Sequence, residues 1–136
     1  MKKTIEVVAA LIEKNGKFLL AQRFEHDAYG LLWEFPGGKV EPEETDEQAI
    51  IREIKEELAL EIEAGGMVIA YSDEAEHLKI NVRLYKCNIK NNEPKALECK
   101  TFGWFSPEQA QNLELAPADR KALAFLQRLS FKKLVD

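Results

Sequence analysis

The spacing of apolar residues changes period several times along this chain, and each change marks an element. Residues 5–13 are β-rich and almost continuously apolar, which predicts an interior strand. Asn15-Gly16 follows, a strong signal for a two-residue hairpin, and residues 17–23 read as the returning strand. Residues 24–32 contain Asp27, Tyr29 and Gly30 and predict a loop. Residues 33–35 form a short extended piece, which Pro36-Gly37-Gly38 should break.

The clearest helix comes next. Thr45 is placed to cap it, with Gln48 three residues on to complete a capping box, and Asp46 and Glu47 lie in the first turn, where the helix dipole favours acids. Ile50, Ile51, Ile54 and Leu58 recur at about 100° per residue. The helix should end near Leu58 or Ala59. Gly65-Gly66 predicts a turn, residues 67–72 and 78–89 two strands, Asn91-Asn92 a turn, and residues 100–105 another strand. Ser106-Pro107 opens a short helix with proline in its first turn. A last helix starts at Pro117 or Ala118, shows an apolar face through Leu123, Phe125 and Leu126, and fades near Leu129. Strands, helix, strands, helices: the order predicts an α+β fold with helices covering a mixed sheet.

A chain of 136 residues with 46% hydrophobic content matches one ordinary domain, and no internal repeat or linker divides it. The net charge of −5 is the wrong sign for a duplex nucleic-acid binder. The beginning of the chain does not read as a signal peptide, and no apolar run reaches the roughly 18 residues of a membrane span. Cys87 and Cys99 have no metal-ligand spacing. Reduced thiols in a cytoplasmic protein fit best, with a single bridge left open. Much of the acid is concentrated at Glu41, Glu43, Glu44, Asp46, Glu47, Glu53, Glu56, Glu57, Glu61 and Glu63.

That concentration brings in chemistry. Glu53, Glu56 and Glu57 stand at i, i+3 and i+4, so they project from one side of the predicted helix, away from the Ile50/Ile54/Leu58 stripe. Like charges so placed repel by a few tenths of a kcal/mol per pair. A hard divalent cation would convert that repulsion into binding; the other reading is a solvated acidic face. Gly37-Gly38 permits close backbone approach, Glu44 lies just ahead of the helix, and Arg52, expected on a different side from Glu53, could tie Glu44 or the loop down.

Gly38, then Glu44 after five residues, then after seven more Arg52-Glu53-Ile54-Lys55-Glu56-Glu57-Leu58-Ala59-Leu60, resembles the Nudix box, G-x5-E-x7-R-E-U-x-E-E-x-G-U with U a bulky aliphatic residue. Every fixed position matches except the last glycine, which is Ala59 here. That glycine would serve a left-handed helix exit, so alanine puts the exit in question without removing a carboxylate. The flanks extend the likeness along nearly the whole chain. Trp33-Glu34-Phe35-Pro36-Gly37-Gly38-Lys39-Val40-Glu41 resembles the MutT-type branch, which includes 8-oxo-dGTP and CTP pyrophosphohydrolases. Ile5-Glu6-Val7-Val8-Ala9-Ala10, Leu19-Leu20-Ala21-Gln22-Arg23 and Leu115-Ala116-Pro117-Ala118-Asp119 are similar to the CTP-type members.

The resemblance implies an α/β/α sandwich around a mixed sheet and hydrolysis of nucleoside triphosphate to monophosphate and pyrophosphate with Mg²⁺ or Mn²⁺. It implies Gly37, Glu53, Glu56, Glu57 and Glu98 as the metal-binding set, with Glu53 or Glu98 as general base and Glu44 and Arg52 as supports of the motif. It also implies Arg23 on the phosphates, Gly37 and Gly38 lending backbone groups, and Phe35 flanking the base or sitting in the core. Asp119 would read the base edge; as a carboxylate it only accepts, which favours an exocyclic amino group such as cytosine N4. A plain alternative for Asp119 is a helix N-terminal acid satisfying backbone donors, and for Arg23 a surface ion pair. His77 and Lys79 are expected near the cleft edge. The expected substrate is a small nucleotide, with CTP, dCTP or 5-methyl-dCTP ahead of 8-oxo-dGTP. A non-catalytic nucleotide sensor is the third reading. The protein is expected to be a monomer or homodimer.

Overall fold

The computed structural model describes residues 2–129. Seven strands and three helices follow in the order β1 (Lys3–Lys14), β2 (Lys17–Gln22), β3 (Trp33–Glu34), β4 (Gly37–Lys39), α1 (Asp46–Leu58), β5 (Glu61–Glu74), β6 (Leu78–Asn91), β7 (Thr101–Phe105), α2 (Pro107–Gln111) and α3 (Pro117–Arg128). The sheet runs β3-β2-β1-β6-β5, with β4 also on β1 and β7 also on β2. β1 pairs in parallel with β6 over Lys3↔Leu78 to Ile12↔Cys87. The other pairings are antiparallel, so the sheet is mixed.

The continuous apolar run of β1 is explained by cover on both faces. Val8, Ala10 and Ile12 pack with Leu19 against Ile50, Ile54 and Leu58 of α1. Their neighbours Ala9 and Leu11 pack with Phe18 and Leu20 against Ala122, Leu123 and Leu126 of α3. The result is the α/β/α sandwich anticipated above. Cys87 and Cys99 are buried and free, and burial pushes their thiols up to about 12 and about 11.

Both glycine pairs lie within strands. Gly65-Gly66 is no turn: β5 runs through it, with register shifts between Ala64 and Met67 and again before Ile69. A Cβ on Gly65 would sit 3.1 Å from the Lys86 carbonyl oxygen, so a glycine lets the bulged strand stay close to β6. The extended piece does break as expected, since β3 ends at Glu34, but Gly37-Gly38 then form β4, pairing with Ala9 and Val8 of β1. A Cβ at Gly37 would strike the Val8 carbonyl. The chain thereby passes from β2, which β3 flanks at Ala21 and Gln22, to β1. Asn15 and Gly16 both have positive φ, as the predicted hairpin turn requires.

Candidate active site

Helix α1 starts as its sequence dictates. The Thr45 side chain accepts from the Gln48 N–H, the Gln48 side chain accepts from the Thr45 N–H, and Ala49, Ile50, Ile54 and Leu58 are buried. It ends at Ala59 in the left-handed conformation (φ 60°), so alanine holds the geometry that glycine would adopt freely.

Its position across the sheet is fixed at two places. Asp46 lies over β6, where Arg83 Nε and Nη2 donate to its two oxygens at 2.6 and 2.9 Å and the Tyr85 hydroxyl donates at 2.6 Å. Seven residues later, Glu53 lies over β4, and a Cβ on Gly38 would collide with its carboxylate. Val8 of β1 faces Gly38 on one side and Arg83 on the other. Seven residues of helix span about 10 Å, and two strand spacings are about the same. The helix thus crosses β6, β1 and β4 with its carboxylates delivered above the glycines.

Arg52 does not point away from Glu53. Its Nε and Nη2 grip Glu44 at 2.7 and 2.9 Å, Nη2 also reaches the Lys39 carbonyl at 3.1 Å, and Nη1 donates to Glu53 at 2.8 Å. The guanidinium is long enough to curl back over its own helix turn, so one cation orders the loop and orients a site carboxylate. The Arg52 bonds, with the Glu41 N–H, hold the Glu44 carboxyl down at about 2.

Glu57 accepts from the Gly37 N–H at 3.1 Å. Glu98 arrives because residues 95–98 satisfy the open carbonyls of the helix end: Lys95 N–H donates to Leu58, and Leu97 and Glu98 N–H to Glu57. Withdrawal from water raises the Glu53 and Glu57 carboxyls, and neighbouring acids, Glu98 among them, add to the rise. Glu56 is more exposed and is 3.4 Å from Arg52.

Among the described residues no three acidic, histidine or cysteine side chains converge into a ready-made cation cage. The donor set nevertheless fits a hard divalent ion. Its side-chain groups are all carboxylates, they repel one another, and among the described residues Arg52 is the cation that touches Glu53 and Glu56. Glu53, Glu56, Glu57 and Glu98, with the Gly37 backbone, are the groups that could hold it.

A cavity of about 420 Å³ opens beside these carboxylates, bordered by Gly37, Gly38, Glu57 and Glu98 at one side and by Phe35, Pro117, Ala118 and Asp119 at another. Arg23 borders it too, with Nε on the Ala28 carbonyl and Nη1 on Glu34 at 3.0 Å. Arg23 therefore makes the ion pair weighed above and still faces the cavity. The Phe35 ring is buried, 5.4 Å from the ring of Phe18, so its core role is realised and only its edge of the cavity is left for a ligand. Asp119 does not cap its own helix, which begins at Pro117 after Ala116 and has no side-chain cap. It accepts instead from the Phe35 N–H at 3.3 Å and the Tyr71 hydroxyl at 3.4 Å. Burial, with Glu34 nearby, pushes the Asp119 carboxyl well up.

His77 and Lys79 do not border the cavity. His77 is exposed beside Glu76 and Lys79 pairs with Glu74, while Leu78 and Ile80 form the cavity wall. Strand alternation at β6 accounts for Lys79, which points to the opposite side from Leu78 and Ile80. Glu34, Tyr71 and Asp73 border or support the site without having been singled out. An acid between two aromatics, Trp33-Glu34-Phe35, was a usable signal for Glu34; nothing local marked Tyr71.

The NUDIX domain model matches residues 2–126. The CTP pyrophosphohydrolase of Escherichia coli (strain K12) is 44% identical over 117 residues, 86% of this chain and 87% of that one. A protein named putative 8-oxo-dGTP diphosphatase 2 from Mycobacterium tuberculosis (strain ATCC 25618 / H37Rv) is 32% identical over 123 residues, 90% of this chain and 87% of that one. Among solved structures, the E. coli ORF135 protein superposes with a TM-score of 0.83 at 39% identity, covering 99% of this chain and 96% of that one. A MutT protein from Methanosarcina mazei Go1 gives 0.84 at 27% identity over 93% and 95%. With the box residues, the sandwich and these relatives in agreement, the chain belongs to the Nudix family.

Proposed function

We propose that the protein hydrolyses a nucleoside triphosphate with water to the monophosphate and pyrophosphate, with cytidine nucleotides preferred. The observation that carries this reading is the convergence of two chemistries on one cavity: Glu57 of α1 with Glu98 at one side, and Asp119 beside Phe35 at the other. A bound Mg²⁺ or Mn²⁺ would neutralise phosphate oxygens and acidify water. Glu53, Glu56, Glu57 and Glu98 would hold it, with the Gly37 backbone. Glu53 or Glu98 takes the proton of the attacking water, Arg52 and Glu44 keep the loop and Glu53 in register, and Arg23 meets the phosphates. Asp119 accepts from the base's exocyclic amino group. The similarity to the E. coli CTP pyrophosphohydrolase supports the cytidine preference.

A second reading, 8-oxo-dGTP hydrolysis, is favoured by the mycobacterial relative's name. A Mg²⁺-dependent pyrophosphate-release screen over CTP, dCTP, 5-methyl-dCTP, 8-oxo-dGTP and the remaining (d)NTPs separates the two. Faster turnover of the cytidine nucleotides is expected. Inert CTP and dCTP beside rapid 8-oxo-dGTP hydrolysis would reject the cytidine assignment, and no turnover of any nucleotide would leave a sensor.

A further inference from the structure

Both protein donors to Asp119 end on the same atom. The Phe35 N–H and the Tyr71 hydroxyl each donate to Oδ1. Oδ2 has no hydrogen-bond partner among the described residues, and no sealed side-chain polar atom there lacks one, so Oδ2 keeps an open side. Asp119 borders the cavity. The carboxyl group is thus held through one oxygen, at 3.3 and 3.4 Å, and leaves the other open.

We infer that Tyr71 is a specificity-determining positioning residue: by donating to Oδ1 it fixes the Asp119 carboxyl so that Oδ2 faces the nucleobase as an acceptor, selecting bases that carry an exocyclic amino group over those with a carbonyl there. The inference rests on the assignment of Asp119 to base reading and names the residue that enforces it. Tyr71 is well placed for this. It lies on β5 opposite Val82 of β6, and its hydroxyl must reach across to α3. The adjacent Lys121 of α3 holds β5 in return, through the Ser72 carbonyl and Asp73, so the two elements are joined beside the Tyr71 hydroxyl.

The same bond acts on the acid's charge. Burial and Glu34 of β3 favour a neutral Asp119, whereas the Tyr71 hydroxyl, the Phe35 N–H and the more distant Arg23 favour the carboxylate. A neutral Asp119 would carry its proton on the open oxygen, because Oδ1 already accepts two bonds. It would then offer a donor to a base carbonyl. Tyr71 therefore acts against the form that would accept the wrong base.

The test is the ratio of kcat/KM for CTP to that for UTP, which differ at the 4-amino and 4-carbonyl positions, in wild type, Tyr71→Phe, Asp119→Ala and the double variant. Tyr71→Phe keeps the ring and removes only the donor. The ratio should fall about fivefold to tenfold in Tyr71→Phe, in keeping with loss of one hydrogen bond of ordinary strength. It should fall further in Asp119→Ala, and Tyr71→Phe should change nothing in the Asp119→Ala background. A ratio that falls in Asp119→Ala but stays within twofold of wild type in Tyr71→Phe overturns the role of Tyr71 and leaves Asp119 as base reader. A wild-type ratio near one, or one indifferent to Asp119→Ala, overturns both.

Discussion

Arg83 of β6 and Asp46 in the first turn of α1 form a two-pronged ion pair, Nε to Oδ2 at 2.6 Å and Nη2 to Oδ1 at 2.9 Å. Glu6 of β1 accepts from the free Nη1 at 2.6 Å. The sheet thus grips the start of the helix that carries the Nudix carboxylates.

Asp46→Ala should therefore cost about 1–3 kcal/mol of stability, read as a lower urea midpoint at unchanged slope. Arg83 and Tyr85 hold the Asp46 carboxyl below its ordinary 3.8. A depressed folded-state value gives stability that is present above about 3.8 and lost as pH falls through the folded value. Wild type should accordingly lose stability more steeply than Asp46→Asn below that pH. Parallel pH profiles would remove Arg83 as the cause.

Ala59 holds φ at 60° at the helix exit. Ala59→Gly should raise stability by about 1 kcal/mol, because glycine adopts this conformation without the Cβ penalty, which exceeds glycine's added unfolded-state entropy. In a chain of this size that is a rise of about 3–5 °C in Tm by calorimetry. A fall in Tm would mean that the alanine methyl contributes more by contact than its conformation costs.

Arg52→Lys keeps the charge but cannot span Glu44, the Lys39 carbonyl and Glu53 together, since an ammonium lacks the planar fork. The expected result is a fall in kcat of about tenfold to a hundredfold, with KM altered much less, because Glu53 loses its orientation. Steady-state kinetics with CTP measures it, and near-wild-type kcat would show that the loop orders itself without the fork.

Asp119 has the opposite pH signature to Asp46. Its carboxyl is raised well above the ordinary 3.8 by burial. A raised folded-state value means that its contribution is full below the unfolded value and is lost as pH rises through the folded one. Asp119→Asn should therefore gain on wild type in stability as pH rises above about 3.8, while losing base selectivity. Chemical denaturation across pH 4–8 reads the crossing of the two curves.

Much of this site was legible in the chain because its parts are local. Thr45 with Gln48, the Ile50/Ile54/Leu58 stripe and the Glu53/Glu56/Glu57 spacing all lie within one helix, where a fixed period converts sequence into direction. The helix end near Ala59 was legible too, but not its left-handed exit, because alanine pays for that conformation and the sequence left the exit open. What else could not be read was long-range. Gly65-Gly66 has the composition of a turn, yet pairing with β6 draws it into a bulged strand. The reach of the Arg52 side chain back onto Glu53 depends on rotamers that spacing alone does not set. Tyr71 meets Asp119 only because β5 and α3 are packed together, 48 residues apart in sequence.

The central claim is that carboxylates of one helix, with Glu98 and the Gly37 backbone, bind the divalent ion beside the nucleotide. Anomalous diffraction from crystals soaked with Mn²⁺ and a non-hydrolysable CTP analogue tests it most directly. The account predicts manganese peaks at about 2.0–2.3 Å from oxygens of Glu53 and Glu57, an octahedral distance for a hard cation, with triphosphate oxygens completing the shell. Manganese bound elsewhere, with the nucleotide in the cavity and these carboxylates turned away from it, would contradict the account.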